Sequence, residues 1–328
     1  MSKPPVPLRG LYWGSQPHFA KWLPVLIKRV EPFTIWCESP AGSATNSFVL
    51  QQLGKDVITN DGSFYSYCIA KGILGREGFD KFEDDIKGVQ PVEGYCTKTA
   101  RYDAFPREVR MLIDGLACID NPYLKVVLGK TLATKYSYRS YGWDRNLMSK
   151  ATVSELQAQL LKSHQLLSRY VNTPCAGKLV GAYNVDWKEF IKIVDVKDAV
   201  LFSDFSWPWD PKYGGGAGGP QLYAFFYDIS CILKQQDIDT SHLDVWTVEN
   251  VHEKLAEYLK LVADSGKFKA FFLSHQDKDY PPKQDINALL DMMGFKYDYS
   301  EFTVQVGFGS TKGRKSIMTE ELWIIQLN

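Results

Sequence analysis

The chain lacks an excess of either charge. Among its 328 residues, 38 Lys or Arg stand against 38 Asp or Glu, for a formal net charge of +0. That excludes a globally basic nucleic-acid binder and leaves a locally basic one open. It lacks any Cys-x-x-Cys pair: Cys37, Cys68, Cys96, Cys118, Cys175 and Cys231 are widely spaced. They read as reduced, mostly buried thiols of a cytoplasmic protein, not as zinc ligands or a disulfide frame, and no metal is expected. No run of about 18 apolar residues occurs, and Met1-Ser2-Lys3-Pro4-Pro5 has no apolar signal core, so neither a membrane segment nor a leader is expected. There is no repeat of fixed period, and the only low-complexity tract is the glycine loop at 214–219. The three-glycine dinucleotide fingerprint is missing as well, which makes NAD a poor fit.

What is present is a chain 45% hydrophobic and 23% charged, long enough for one α/β domain with a sizeable insertion. Phe33-Thr34-Ile35-Trp36-Cys37 reads as a strand. The turn Glu38-Ser39-Pro40-Ala41-Gly42-Ser43-Ala44-Thr45 follows, and then a helix with Phe48, Val49, Leu50 and Leu53. Strand, small-residue turn and helix make the first half of a nucleotide-binding unit, because small residues let a ligand approach the backbone and the helix start offers free N–H donors. A second strand, Asp56-Val57-Ile58-Thr59, ends at Asn60-Asp61. An acid at that strand end, roughly 20 residues past the turn, is placed to grip ribose hydroxyls; an ordinary Asn-Asp turn is the plainer alternative.

Residues 75–176 have a different texture, mostly helical after the glycines at 72, 75 and 78. From residue 98 to 150 the chain holds ten Lys or Arg against five Asp or Glu. Within it, Lys135, Tyr138, Arg139, Tyr141, Trp143 and Arg145 interleave cations with aromatics, a combination that suits phosphate contact and base stacking. A solvated basic face over packed aromatics is the competing reading. Residues 152–170 form an amphipathic scaffold helix. Gly181-Ala182-Tyr183-Asn184-Val185-Asp186 reads as a strand ending in an acid that serves a ligand or caps the next helix.

The stretch Ser203-Asp204-Phe205-Ser206-Trp207-Pro208-Trp209 leaves the apolar strand at 199–202 and enters the glycine loop. Ligands of open α/β sheets bind beyond the carboxyl ends of strands. An acid or serine, a proline and an aromatic there suit a planar base: the ring stacks and the oxygens accept from an amine. A turn with a tryptophan as a core plug is the alternative. Two closing strands, at 303–306 and 322–325, flank a loop with Lys312 and read as an antiparallel hairpin at the sheet edge.

Taken in order, these segments resemble the Dam-like, alpha-group adenine-N6 DNA methyltransferases, which use S-adenosylmethionine (SAM). The aromatic-x-Gly-Ser-Lys opening of that family is matched by Tyr12-Trp13-Gly14-Ser15-Gln16, and its SAM loop by Glu38-Ser39-Pro40-Ala41-Gly42-Ser43-Ala44. Asn60-Asp61, Asn184-Val185-Asp186 and the 203–209 stretch match the later motifs. Gln16 stands in place of lysine, Glu38 in place of Asp and Ala44 in place of the last glycine. The Asp-Pro-Pro-Tyr motif is degenerate: Asp204-Phe205-Ser206-Trp207 keeps the acid and the aromatic, whereas Ser206-Trp207-Pro208-Trp209 keeps one proline and the aromatic.

The resemblance implies a Rossmann-like α/β SAM-dependent methyltransferase sheet with a C-terminal antiparallel hairpin. The catalytic domain would comprise 1–74 and 177–328, with 75–176 an inserted, basic, mostly helical target-recognition region. It implies SAM held by Tyr12, Trp13, Gln16, Glu38, Ala41, Gly42, Ser43, Asp61 and Asp186. Chemistry would fall to Asp204, Ser206, Trp207, Pro208 and Trp209 on a flipped adenine of double-stranded DNA. Lys135, Tyr138, Arg139, Tyr141, Trp143, Arg145 and Lys312 would contact the nucleic acid. Three alternatives stay open: a degenerate relative that binds SAM or nucleic acid without methylating, a methyltransferase for RNA or a small amine, and a non-SAM enzyme with Asp204 as general base.

Overall fold

The computed structural model describes residues 5–8, 19–94, 102–137, 142–205, 207–208, 218–237, 246–277, 279–307 and 315–327. Among these residues, seven strands form one mixed sheet: β1 (Ile35–Glu38), β2 (Asp56–Asn60), β3 (Leu179–Tyr183), β4 (Ala199–Asp204), β5 (Phe268–Gln276), β6 (Lys296–Gly307) and β7 (Lys315–Gln326). Their spatial order is β3-β2-β1-β4-β5-β7-β6. β1 to β5 run parallel, and β7 pairs antiparallel with both β5 and β6. The expected α/β sheet with a closing antiparallel hairpin is therefore present. The hairpin strands are longer than their apolar cores, because half of β6 is polar.

Among the described residues, twelve α-helices accompany the sheet: α1 (Leu23–Leu26), α2 (Thr45–Gln52), α3 (Phe64–Ile69), α4 (Phe82–Gly88), α5 (Arg107–Cys118), α6 (Pro122–Lys135), α7 (Arg145–Ser149), α8 (Val153–Val171), α9 (Trp187–Ile193), α10 (Gly218–Lys234), α11 (Val251–Asp264) and α12 (Lys283–Met292). α3 continues into a single π-helical turn at Ala70–Leu74. α8 starts with a capping box in which Thr152 and Glu155 serve each other's backbone N–H groups, a signal visible in the sequence. None of the described cysteines is in a disulfide. Among the described residues no helix is long and apolar enough to cross a membrane.

β1, β2, β4 and β5 are buried on both faces, which explains their near-continuous apolar runs, whereas β3 at the sheet edge is partly exposed. On one face Trp36, Val57, Val200, Phe202, Ala270, Phe272, Leu322 and Ile324 join a core built with α2, α3, α5, α6, α8 and α10. On the other, Cys37, Ile58, Leu201, Phe271, Leu273, Trp323 and Ile325 pack with α9, α11 and α12. The helices of 75–176 thus share the core of the first face. Strand order reverses between β1 and β4, and a crevice at such a switch point is where open α/β sheets bind ligands. It places Glu38 and Asp204 on neighbouring strands at the sheet's carboxyl edge, Asp204 two residues beyond Phe202, the register partner of Glu38.

Candidate functional site

The turn after β1 is held by two acids. Glu38 is 3% exposed. Its Oε2 accepts from the Ser47 backbone N–H at 2.9 Å and from the Ser47 hydroxyl, and its Oε1 accepts from Asn46 Nδ2 at 3.1 Å. Ala44, at the start of α2, has left-handed φ and supplies no side-chain cap. Glu38 does the capping from outside the helix, where a negative charge also meets the positive end of the helix dipole. Burial pushes its carboxyl up to about 7, against the pull of the Ser47 and Asn46 hydrogen bonds.

Asp61 lies one residue past β2. Its Oδ2 accepts from Gly42 N at 2.7 Å and its Oδ1 from Ser63 N at 2.8 Å. Gly42 has φ +52°, a left-handed conformation that glycine adopts without cost. Burial raises the Asp61 carboxyl above the ordinary carboxylate range, although the backbone hydrogen bonds oppose it. Asn60 ties the same turn from the side: its Nδ2 donates to Ser39 Oγ at 3.0 Å and its Oδ1 accepts from Val185 N at 3.2 Å. Asn184 Nδ2 donates to the Asp61 carbonyl at 2.7 Å. Gly42, Asp61 and the Asn184 region, far apart in the chain, therefore meet in one polar knot. Ala41 is buried beside it, and Ser43 shares a hydrogen bond with Thr45 at 2.7 Å.

Asp186 is placed differently. β3 ends at Tyr183 and Asp186 is the N-cap of α9, its Oδ1 accepting from Lys188 N at 2.8 Å. Of the two roles open in the sequence, the capping role is the one its contacts occupy.

Asp204 ends β4, half-buried and in register with Ser274 of β5. Burial, then the nearby carboxylates of Glu320, Asp279 and Glu38, raises its carboxyl well above the ordinary range. Trp207 turns inward: it is 3% exposed, its Nε1 donates to the Ser274 carbonyl at 2.9 Å, and its ring meets Phe205, Trp246 and His275 edge-on. The Pro208 carbonyl accepts from Tyr280 N at 2.8 Å. Trp207 and Pro208 thus fasten the end of β4 to β5 and its following loop. Ser203, just before them, donates to the Ser39 carbonyl and shares a 2.7 Å hydrogen bond with Tyr258, joining β4 to the β1 turn. Ser206, Trp209, Tyr12, Trp13 and Gln16 lie outside the described residues.

In the basic segment, Trp143 is half-buried: its ring packs on Tyr102 and Phe225, and its Nε1 donates to Asp228 Oδ2 at 3.3 Å. It anchors the segment to α10. Lys135 is half-buried at the end of α6, and Arg145 is exposed at the start of α7. Tyr138, Arg139, Tyr141 and Lys312 lie outside the described residues. Among the described residues, no group of three His, Cys, Asp or Glu is arranged to hold a metal ion.

Sequence reasoning missed four groups at this edge: Asn46, Gln276, Asp279 and Glu320. It also missed the buried pair His275–Glu321, with Nδ1 to Oε2 at 2.8 Å. Gln276, Glu320, His275 and Glu321 are brought together by strand register, Asn46 by the start of α2 and Asp279 by the loop after β5, none of which a linear pattern announces.

No protein-family model matches the chain, and no curated protein matches it. Among solved structures, the chain is similar to the X-ray structure of precorrin 8w decarboxylase from Methanobacterium thermoautotrophicum, with 10% identity over 96% of this chain and 92% of that one, at a TM-score of 0.34. A likeness of that size carries no argument about fold or function.

Proposed function

We propose that the chain is a SAM-dependent methyltransferase acting on an amine nitrogen, with adenine N6 of double-stranded DNA the acceptor implied by the sequence resemblance. The observation that carries this reading is the 2.7 Å contact of Gly42 N with Asp61 Oδ2, which sets a small-residue turn and a strand-end acid together beside the switch point of the sheet. The residues present fit the cofactor. Asp61 stands at the strand end against the turn, held by Gly42 N and Ser63 N, where it would meet the ribose hydroxyls. The turn from Ser39 to Ala44 carries no large side chain. When bound there, SAM would supply an electrophilic methyl group.

The chain's own residues would do the remaining work. Asp61 would orient the ribose. The Glu38 staple would hold the turn rigid, so that no reorganisation accompanies binding. Asp204, one strand away, would accept a hydrogen bond from the acceptor amine and take the proton it loses. Its raised proton affinity favours taking up that proton. Arg145 and Lys135, in the segment with excess positive charge, would meet phosphates.

One observation favours a second reading. Trp207 and the Pro208 carbonyl are spent on internal contacts, as in a relative that binds SAM or nucleic acid without methylating. Incubating the purified protein with methyl-labelled SAM and mixed-sequence duplex DNA separates the two. Label in adenine, lost in Asp204→Asn, supports transfer. Label in neither DNA nor RNA, from a protein that binds SAM, supports the second reading.

A further inference from the structure

The turn between β1 and α2 has the outline of a phosphate-binding turn and the opposite wiring. Where a strand, a small-residue turn and a helix hold a phosphate, the backbone N–H groups of the turn point free at the anion, and the positive end of the helix dipole draws it in. Here most of those groups are spent inside the protein. Ser39 N donates to the Phe202 carbonyl at 3.0 Å, Ala41 N to the Asn60 carbonyl at 2.9 Å and Ala44 N to the Ala41 carbonyl at 2.7 Å. Pro40 has no N–H to offer. Gly42 N donates to Asp61 Oδ2 at 2.7 Å, and Ser47 N, in the first turn of α2, donates to Glu38 Oε2 at 2.9 Å.

Two of these five donors therefore end on carboxylates of the chain itself. The other donors of the first helical turn adjoin Ser47, where the Glu38 charge already offsets the positive end of the dipole. Glu38 and Asp61 are both buried, and repulsion from Asp61 adds to burial in raising the Glu38 carboxyl, so the two charges act on each other. Among the described residues neither acid is ion-paired with a lysine or arginine. A phosphate entering this turn would meet two acids and no cation, and its own desolvation would go uncompensated. A ribose brings neutral hydroxyls and escapes that repulsion.

We infer that this turn admits a nucleoside whose 5′ carbon carries no phosphate, and that Glu38 and Asp61 set this specificity by filling the anion position from within the chain. The inference rests on the reading of the turn as the cofactor site and narrows what that site admits. Mononucleotides, nucleoside triphosphates and dinucleotides are refused by charge, not by size. A nucleoside that carries a thioether or a sulfonium at C5′ is accepted.

Calorimetric titration of the full chain at about pH 8.5, above the value of about 7 to which burial pushes the Glu38 carboxyl, tests this with two probes. One is 5′-methylthioadenosine, and the other is AMP, the same nucleoside with a phosphate at C5′. Saturable binding of 5′-methylthioadenosine is expected, with AMP weaker by about a hundredfold. In Glu38→Gln, with folding verified by circular dichroism, the two affinities should draw together at least tenfold. A merely structural role for Glu38 would weaken both probes alike and leave their ratio as it was. The wild-type ratio decides the matter by itself where the variant does not fold. AMP binding within threefold of 5′-methylthioadenosine overturns the inference, as does an unchanged ratio in folded Glu38→Gln or no saturable binding of 5′-methylthioadenosine. A parallel titration of SAM keeps the two readings apart. SAM and AMP bound alike would overturn this inference and leave the methyltransferase reading standing. Binding of 5′-methylthioadenosine with neither AMP nor SAM would reject the methyltransferase reading and leave this inference standing.

Discussion

Two acidic regions share one edge of the sheet, and they are built on opposite terms. On the β1–β2 side, Glu38 and Asp61 are surrounded by donors: three reach Glu38 and two backbone N–H groups reach Asp61. On the β5–β7 side, Glu320 has a single donor and a bare oxygen. Both are buried, so the difference is one of hydrogen bonding and not of solvent. A carboxylate surrounded by donors serves as a fixed part of the fold, and here it fixes the turn where a cofactor would lie. A carboxylate without them is desolvated by folding without compensation, which pushes its proton affinity up.

Substitutions should separate the two regions, and the largest effect belongs to Glu38. Glu38→Ala removes three hydrogen bonds and strands buried donors on Asn46 and Ser47. Chemical denaturation is expected to show a loss of about 3 kcal/mol, from the cost of unmatched buried donors. Glu320→Gln should go the other way. It replaces a repelled carboxyl with an amide, and at pH 8 to 9 stability is expected to rise by about 1 kcal/mol in the absence of ligand, as for replacement of an unpaired buried charge.

The pH dependence follows from the same groups. Folding raises the Glu38 carboxyl to about 7 and the Glu320 carboxyl to about 8 from an ordinary value near 4.5. The folded chain therefore holds protons that the unfolded chain releases. The contribution of each group is complete below about pH 4.5 and is lost as pH rises through 7 and then 8. Stability is expected to fall between about pH 4.5 and pH 8, by on the order of 1 kcal/mol per pH unit and per group, with the Glu38 part complete near pH 7 and the Glu320 part near pH 8. In Glu320→Gln the upper part of that fall should flatten, while the part near pH 7 stays. The smallest effect is that of Asp186→Ala, which removes only a helix cap and should cost about 1 kcal/mol in the same denaturation experiment.

Much of the β1–β2 side was legible in the sequence. The apolar run at 33–37, the small-residue turn and the acid at 61 are local signals, and 19 residues separate Gly42 from Asp61 as a nucleotide-binding unit requires. The hairpin of β6 and β7 was legible at its apolar ends only. Its first half, from Lys296 to Phe302, mixes charged and aromatic residues; α12 was not read although Pro281-Pro282 and Gly294 bracket it. The β5–β7 side was illegible for a physical reason: an unmatched oxygen on Glu320 is a property of three strands in register, which a single strand's pattern does not encode. Trp207 shows the same limit. Its residue type fits a stacking platform or a core plug equally, and it was the donor bond to Ser274 that placed it inside.

The direct test of the central claim is calorimetric titration of SAM into the wild-type chain and into Asp61→Asn, with folding of both verified by circular dichroism. Saturable binding that weakens at least tenfold in Asp61→Asn is the predicted result. Absence of binding to the folded wild-type chain, or equal affinity in the two, would contradict the assignment of the β1–β2 edge as the cofactor site.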